Sequence, residues 1–209
     1  MGERRLTLEP ALARLWQQGE GEGAVFGLSQ ATQALAIVHE VLRAEVKGPL
    51  TAWVPDYFCD GALHHLRAGG ARLVFYPVDA ALRPDWAACA ALLADGPPQL
   101  FLLGHYFGTV NDCAGARAFC ARTGARLMED AVHVLRPVGD IGTVGDFVCY
   151  SPRKFLALPD GGVLVVRGAR LGAAAGAAAA RLAPAAARTA RWRLRALLPR
   201  APLRQGPAR

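Results

Sequence analysis

Lysine is nearly missing from this 209-residue chain: only Lys47 and Lys154 appear among its 24 basic residues, and arginine supplies the rest. Acidic residues are missing altogether from Gly161 onward, where ten arginines gather. Residues 1–160 therefore carry 14 basic against 17 acidic groups. The main body is mildly acidic and the overall basicity belongs to the tail, so the basic net charge is poor evidence that the main body binds nucleic acid. Long apolar runs are lacking too. The most apolar stretch, "LGAAAGAAAARLAPAAA" (171–187), is mostly alanine and is broken by Arg181 and Pro184, so no membrane span is expected. The opening "MGERRLTLEP" has no apolar core behind its charges and does not read as a secretory signal, so a cytoplasmic location is the expectation.

The five cysteines (Cys59, Cys89, Cys113, Cys120 and Cys149) never form a CxxC pair. Neither a zinc site nor a disulfide framework is suggested, and they read as buried thiols. No GxxxxGK[ST], GxSxG or HExxH occurs, which removes the phosphate loop, the serine-hydrolase elbow and the helical zinc pair. "GEGEGAVFG" (19–27) is glycine-rich, yet no strand precedes it and its spacing is wrong for a dinucleotide loop. His64 and His65 are adjacent on an expected helix and point in different directions, so they do not make a two-ligand metal site. No metal is expected.

What is present is an alternation of elements. Helices are expected over 29–46, with Ser29 as N-cap, and over 58–69, 84–95 and 112–124. Strands are expected over 50–55, 71–78, 125–130, 145–151 and 161–166, and at the start of 99–108 before it breaks at glycine. The spacing fits right-handed crossovers and a largely parallel sheet, and the strand runs are apolar without strict alternation, as in strands covered on both faces. Ligands of such sheets bind outside the carboxyl ends of the strands. The polar residues there are Asp56 and Tyr57, His105 and Tyr106, Glu129 and Asp130, then Ser151 and Lys154, which are expected to meet along one edge.

Lys154 stands out in this arginine-writing chain because arginine is never deprotonated, whereas a lysine amine can act as a nucleophile. With Asp130 at the neighbouring strand end it matches the needs of pyridoxal phosphate chemistry: a lysine to hold the cofactor and a carboxylate to keep its ring nitrogen protonated. "SQAT" before the first long helix offers hydroxyls and amides to a phosphate. An ordinary ion pair between the two residues is the plainer alternative.

The segments "VPDYFCDGALHHLRAGGARLVFYPVD", "GHYFG", "MEDAVH" and "GDIGTVGDFVCYSPRKFLALPDGGVLVV", in this order and spacing, resemble the DegT/DnrJ/EryC1/StrS family of sugar aminotransferases, over about residues 24–168. The resemblance implies a three-layer α/β/α fold with a mostly parallel sheet, like the large domain of pyridoxal-phosphate-dependent transferases. It implies pyridoxal 5'-phosphate as cofactor, an amino acid (glutamate) as donor, a nucleotide-linked keto-sugar as acceptor, and a homodimer. By position, Lys154 matches the Schiff-base lysine and Asp130 the partner of the pyridine nitrogen. His133 falls where the family has Gln or His near the ring substituents, and Ser151 matches a phosphate-binding serine. Thr32 matches the threonine of a Gly-Thr loop whose glycine is here Ala31. The ring-covering aromatic is Tyr57 or Phe58. A sugar-dehydratase branch has histidine at the lysine position, so Lys154 favours transamination.

The resemblance divides the chain into an N-terminal segment (1–23), an incomplete large domain (24–168) and an alanine- and arginine-rich tail (169–209). Residues 171–198 read as helix interrupted at Pro184, and those from Pro199 as disordered. Arg188, Arg191 and Arg195 recur on one helical face beside Trp192, a basic amphipathic pattern. Its plainer reading is a helix leading into a missing domain, and neither nucleic acid nor membrane is an expected partner. Because that domain is missing, a second reading stays open: a truncated, non-catalytic relative that serves as a binding or dimerisation module.

Overall fold

The structure, a computed structural model, describes residues 10–17, 23–158 and 160–182. Seven strands, β1 (Gly23–Leu28), β2 (Thr51–Pro55), β3 (Arg72–Tyr76), β4 (Leu100–Gly104), β5 (Arg126–Asp130), β6 (Phe147–Tyr150) and β7 (Gly162–Arg167), form one sheet in the order β1-β7-β6-β5-β4-β2-β3. Every neighbouring pair from β3 to β6 is parallel, and β7 alone runs against both its neighbours. The helices are α1 (Pro10–Ala13), α2 (Gln33–Arg43), α3 (His64–Ala68), α4 (Trp86–Leu92), α5 (Cys113–Thr123) and α6 (Ala169–Arg181).

The sheet is covered on both sides because its strands carry apolar residues on both faces. Along β4, Leu100 and Leu102 join a core with Ile37 and Val38 of α2 and Ala175 of α6, while Phe101 and Leu103 face Ala116 and Phe119 of α5. On the second face Phe101 stacks on Tyr76 (centroids 4.7 Å apart) and meets Phe119 at 5.0 Å, offset contacts that add to their burial. This is the three-layer α/β/α architecture expected from the sequence.

Local chemistry sets the helix ends. Asp85 caps α4 by accepting from the N–H groups of Ala87 and Ala88, and Asp112 caps α5 by accepting from Gly115. Gly124 ends α5 at φ 75°, a left-handed position that glycine adopts without strain. Three sequence expectations need correcting. Ser29 does not cap the first long helix: the Gln33 carboxamide oxygen accepts from the N–H groups of Ser29 and Gln30, folding 29–32 into a turn, and the helix begins at Gln33. The expected helix over 58–69 is a short 3-10 turn, Asp60–Leu63, followed by α3. The third concerns β1, a strand not foreseen, which pairs along its length with β7.

Residues outside the expected 24–168 range pack on this body. Leu171, Ala175, Ala178 and Ala179 of α6 are buried in the core with α2, and Trp16 donates its indole N–H to the Leu135 carbonyl. The arginine pattern at 188–195 and the disorder expected from Pro199 lie outside the described residues. Among the described residues no helix is long and apolar enough to cross a membrane.

One glycine sets how closely two segments approach. A Cβ at Gly162 would lie 2.5 Å from the Ala31 nitrogen and the Gln30 carbonyl carbon, backbone atoms that cannot swing aside. Gly162→Ala should therefore push the 30–31 turn off β7, at a cost of about 1–3 kcal/mol. That corresponds to a melting temperature lower by roughly 2–12 °C for a chain of this size. Gly61→Ala, where a Cβ meets nothing within 4 Å, is the control and should leave thermal unfolding nearly unchanged.

Candidate functional site

Parallel strands end at the same edge of a sheet, so β2, β4, β5 and β6, which are contiguous in the order above, deliver their following residues to one place. A cavity of about 430 Å³ opens there. Its walls include Asp56, Tyr57, Phe58 and Cys59 after β2, Gly104 to Phe107 at the end of β4, Asp130, Val132 and His133 at the end of β5, and Lys154 after β6. Of the expected site residues, Lys154, Asp130, His133, Tyr57 and Phe58 line this cavity. Ser151, Thr32 and Ala31 are not among its lining residues.

Lys154 ends a 3-10 turn, Pro152–Lys154, that starts as soon as β6 stops, with the Lys154 N–H bonded to the Ser151 carbonyl at 2.9 Å. No acidic side chain among the described residues forms an ion pair with it. The plain ion pair with Asp130 weighed above is therefore not formed. Asp130 is half-buried, and its Oδ1 accepts from the Val132 N–H (3.1 Å) and the Cys149 thiol (3.7 Å). Burial raises its pKa, while the Val132 N–H and the charges of Lys154 and His133 oppose the rise.

His133 is held in one tautomer. Its Nδ1 accepts from the Phe107 N–H at 3.1 Å, which assigns the ring proton to Nε2. Burial and then the Lys154 charge lower its pKa, with Asp130 acting in the opposite sense. Phe107 reaches it by adopting φ 55°, a left-handed conformation unusual for a bulky residue, and its ring stacks on the imidazole at an interplanar angle of 2°. Tyr106 donates its hydroxyl to the Tyr57 carbonyl, and burial together with Asp130 and Asp56 pushes its pKa up, keeping it a neutral donor.

One expectation about this edge fails. Glu129 does not reach the cavity, because side chains alternate along a strand and Asp130 takes the cavity side. Glu129 is fully buried and accepts from the N–H groups of Gly142, Val144 and Gly145 and from His105 Nε2 at 2.8 Å. The His105 Nδ1 accepts from the Asn111 N–H at 3.2 Å, so the ring donates to Glu129 through Nε2. Burial alone would raise the Glu129 pKa, but the bonds from His105, Gly145 and Gly142 outweigh it and the net shift is downward. His105, Cys113 and Glu129 bring three donor atoms within 4.8 Å of one another. They do not form an open ligand set: His105 Nε2 and the Glu129 carboxylate are already bonded to each other, and Glu129 also to backbone N–H groups. The Cys113 thiol, pushed up to about 12 by burial, donates to the Asp140 carbonyl.

The turn that precedes Thr32 packs against the glycine pair 161–162. The Gly161 N–H bonds the Ser29 carbonyl, and Cβ atoms on Gly161 and Gly162 would press on Arg153 and on the 30–31 turn. Thr32 is the N-cap of α2, yet its hydroxyl caps nothing and is a buried oxygen without a partner. Ala31 is absent from the residues with positive φ. The turn therefore does not need a glycine at that position, and Gly162 is what lets its backbone approach β7 closely. Sequence reading named Tyr106 at this edge but missed Phe107 and Cys149 as site neighbours. The β5–β6 register, which sets Asp130 opposite Cys149, is the signal that finds the last of them.

A lysine and a carboxylate thus stand at adjacent parallel-strand ends in the wall of one cavity. Comparison with known proteins defines the class: the profile of the "DegT/DnrJ/EryC1/StrS aminotransferase family" matches residues 1–179. The chain belongs to that family. A Brucella abortus aminotransferase of the same family is 25% identical, with a TM-score of 0.62 over 81% of this chain and 49% of its own. The aminotransferase TlmJ from Streptoalloteichus hindustanus is 30% identical, with a TM-score of 0.59 over 73% of this chain and 42% of its own. DesI, solved in the presence of its TDP-sugar product, is 25% identical, with a TM-score of 0.62 over 74% and 40%. The chain thus spans less than half the length of the structures it matches. No curated protein matches it.

The Glu129 shift has a definite sign. A carboxyl whose folded pKa lies below its unfolded value, about 4.3, stabilises the fold fully above that value and loses the contribution as pH falls through the folded one. Glu129→Gln should cost about 2–4 kcal/mol near neutral pH, because one amide oxygen cannot satisfy all the donors and its NH2 faces others. Urea unfolding at stepped pH checks this: the gap between wild type and Glu129→Gln should be largest above about pH 5 and shrink on acidification below about pH 4.

Proposed function

We propose that this chain binds pyridoxal 5'-phosphate and works as part of an aminotransferase that moves an amino group from an amino acid to a keto-sugar. The observation that carries the reading is Lys154 and Asp130 in the wall of one cavity, at the ends of neighbouring parallel strands. The residues present fit the cofactor. The orphaned, buried Thr32 hydroxyl at the start of α2 is an unmet donor where a phosphate is expected, and the N-terminus of a helix favours an anion. Thr32, the Ala31 backbone and Ser151 would take the phosphate, Asp130 the pyridine nitrogen, and His133 Nε2–H a ring substituent. Tyr57 or Phe58 would cover the ring.

When bound, the cofactor supplies an electron sink for the substrate carbon that loses its proton. The chain's own residues do the rest. Lys154 Nζ would hold the cofactor. Freed by the donor's amine, the same nitrogen would serve as the base that takes up and returns a proton at the donor's Cα. Asp130 would meet the ring nitrogen; burial raises its pKa, and the Val132 N–H and the Lys154 charge oppose that rise. The Phe107 N–H keeps the His133 donor aimed by occupying its other nitrogen.

Glutamate as donor and a nucleotide-linked sugar as acceptor follow from the family, and the TDP-sugar product of DesI supports the second. A homodimer is part of the proposal, supported by exposed Tyr57 (54%) and Phe107 (75%) at the cavity wall, apolar surface that a second copy would cover. A cytoplasmic location belongs to the same reading.

Adding pyridoxal phosphate should give a visible absorption band that borohydride fixes as a covalent label on Lys154. Lys154→Arg keeps the charge and should give no label, since guanidinium stays protonated. No band in the wild type, or an equal label after Lys154→Arg, rejects the reading. With cofactor bound, glutamate should release its keto acid. A chain that takes the label yet releases keto acid from no amino acid would be a binding module.

A further inference from the structure

Cys149 is buried at 4% exposure in the middle of the molecule, yet it touches the one carboxylate on which the proposed chemistry depends. We propose that Cys149 is a positioning residue for Asp130: its thiol donates to Oδ1, which it shares with the Val132 N–H, leaving Oδ2 as the oxygen free to meet the cofactor's ring nitrogen. The identity of what meets Oδ2 rests on the function proposed above. The thiol–carboxylate contact does not.

The backbone forces this contact. Asp130 and Cys149 are register partners in the parallel pair β5–β6, so their side chains project from the same face of the sheet at neighbouring positions. The Ala131 N–H bonds the Cys149 carbonyl at 2.9 Å, which locks the two strand ends together at this point. Whatever occupies position 149 therefore faces Asp130, and a thiol there is a donor 3.7 Å from Oδ1. The direction of the bond is settled by charge. Burial, then the adjacent Asp130, push the Cys149 pKa well up, so the sulfur keeps its proton and donates. A thiol is a weaker donor than a hydroxyl. It orients the carboxylate while withdrawing little of its negative charge, which leaves the outward oxygen basic enough to grip a ring N–H.

Other groups also face Asp130. Lys154 comes from the turn after β6, His133 from the segment after β5 and Tyr106 from the end of β4, and each senses its charge. The test must therefore change the thiol and leave these in place. In the cofactor-free chain, carbon-13 NMR of labelled aspartate carboxyls, with the Asp130 signal identified by its loss in Asp130→Asn, reads the Asp130 titration directly. Cys149→Ala should raise its midpoint by about 0.5–1 pH unit, and Cys149→Ser, a stronger donor of similar size, should lower it by a similar amount. A role in packing alone would move both variants in the same direction or neither, and either result overturns the proposal. Cys120→Ala, in the core on the other face of the sheet, should leave the midpoint where it was.

Should Cys149→Ala fail to fold, the unsubstituted chain decides. The S–H infrared stretch should shift as Asp130 ionises, and that shift should vanish in Asp130→Asn. An S–H band indifferent to Asp130 rejects the contact. Because the titration needs no cofactor, the two readings fail separately. A labelled Lys154 with an unmoved Asp130 midpoint sinks only the Cys149 role. A moved midpoint without a label upholds the contact and sinks the cofactor assignment.

Discussion

The geometry of the cavity depends on the carboxylate of Glu129, a residue that never reaches it. Four donors, the N–H groups of Gly142, Val144 and Gly145 and the imidazole of His105, converge on this one buried charge. Charge-assisted bonds of this kind are short and strong, and in a dry interior none can be given up without leaving a polar group unpaired. His105 extends the network to the Asn111 N–H, and the Asn111 amide donates to the carbonyls of Gly104 and Leu82. Arg167 closes it from β7 by donating to the carbonyls of Gly142 and Gly145. The ends of β4 and β5 and the approach to β6 are thereby one hydrogen-bonded unit. With Glu129 pinned to one face of β5, alternation leaves Asp130 no choice but the other.

The strand ends were legible in the sequence for a simple reason. Each central strand is a short apolar run that stops at a polar residue, as "LFLLG" stops at His105 and "FVCY" at Ser151, and parallel strands bring those stops to one edge. Lys154 was legible because the chain so rarely uses lysine. The acid pair 129–130 was only half legible. Period-two alternation says the two carboxylates must face opposite ways, but which one faces the cavity depends on the loop 142–145 folding back to claim Glu129, a contact no local pattern reveals. Ser29 misled for a related reason: a serine before an apolar helix reads as a cap, and here the Gln33 side chain reaches back to the N–H groups of Ser29 and Gln30.

β1 went unseen because its evidence is non-local. "GAVFGL" is short, bounded by glycine, and becomes a strand only by pairing with β7, far along the chain. Cys149 was legible as a buried thiol and nothing more. Its partner is fixed by the register of two strands, and register comes from the fold as a whole. The departure at Ala31 illustrates the same dependence. Read alone, alanine in place of glycine looks like a lost loop. In the structure the room for backbone approach lies across the gap, at Gly162.

β7 runs opposite to the other six strands of the sheet. A parallel successor to β6 would have required the chain to leave the cavity edge, cross the whole sheet and return. Reversal lets it turn back at once, so Lys154 sits between Tyr150 and Val163, two residues paired directly across the antiparallel ladder. The lysine hangs on a tether anchored at both ends by strand pairing. The entropy of closing such a loop grows only slowly with its length, about 0.6 kcal/mol per doubling. Residues can therefore be gained or lost on the tether, changing how far and how freely the amine reaches, while the sheet beneath it keeps its register.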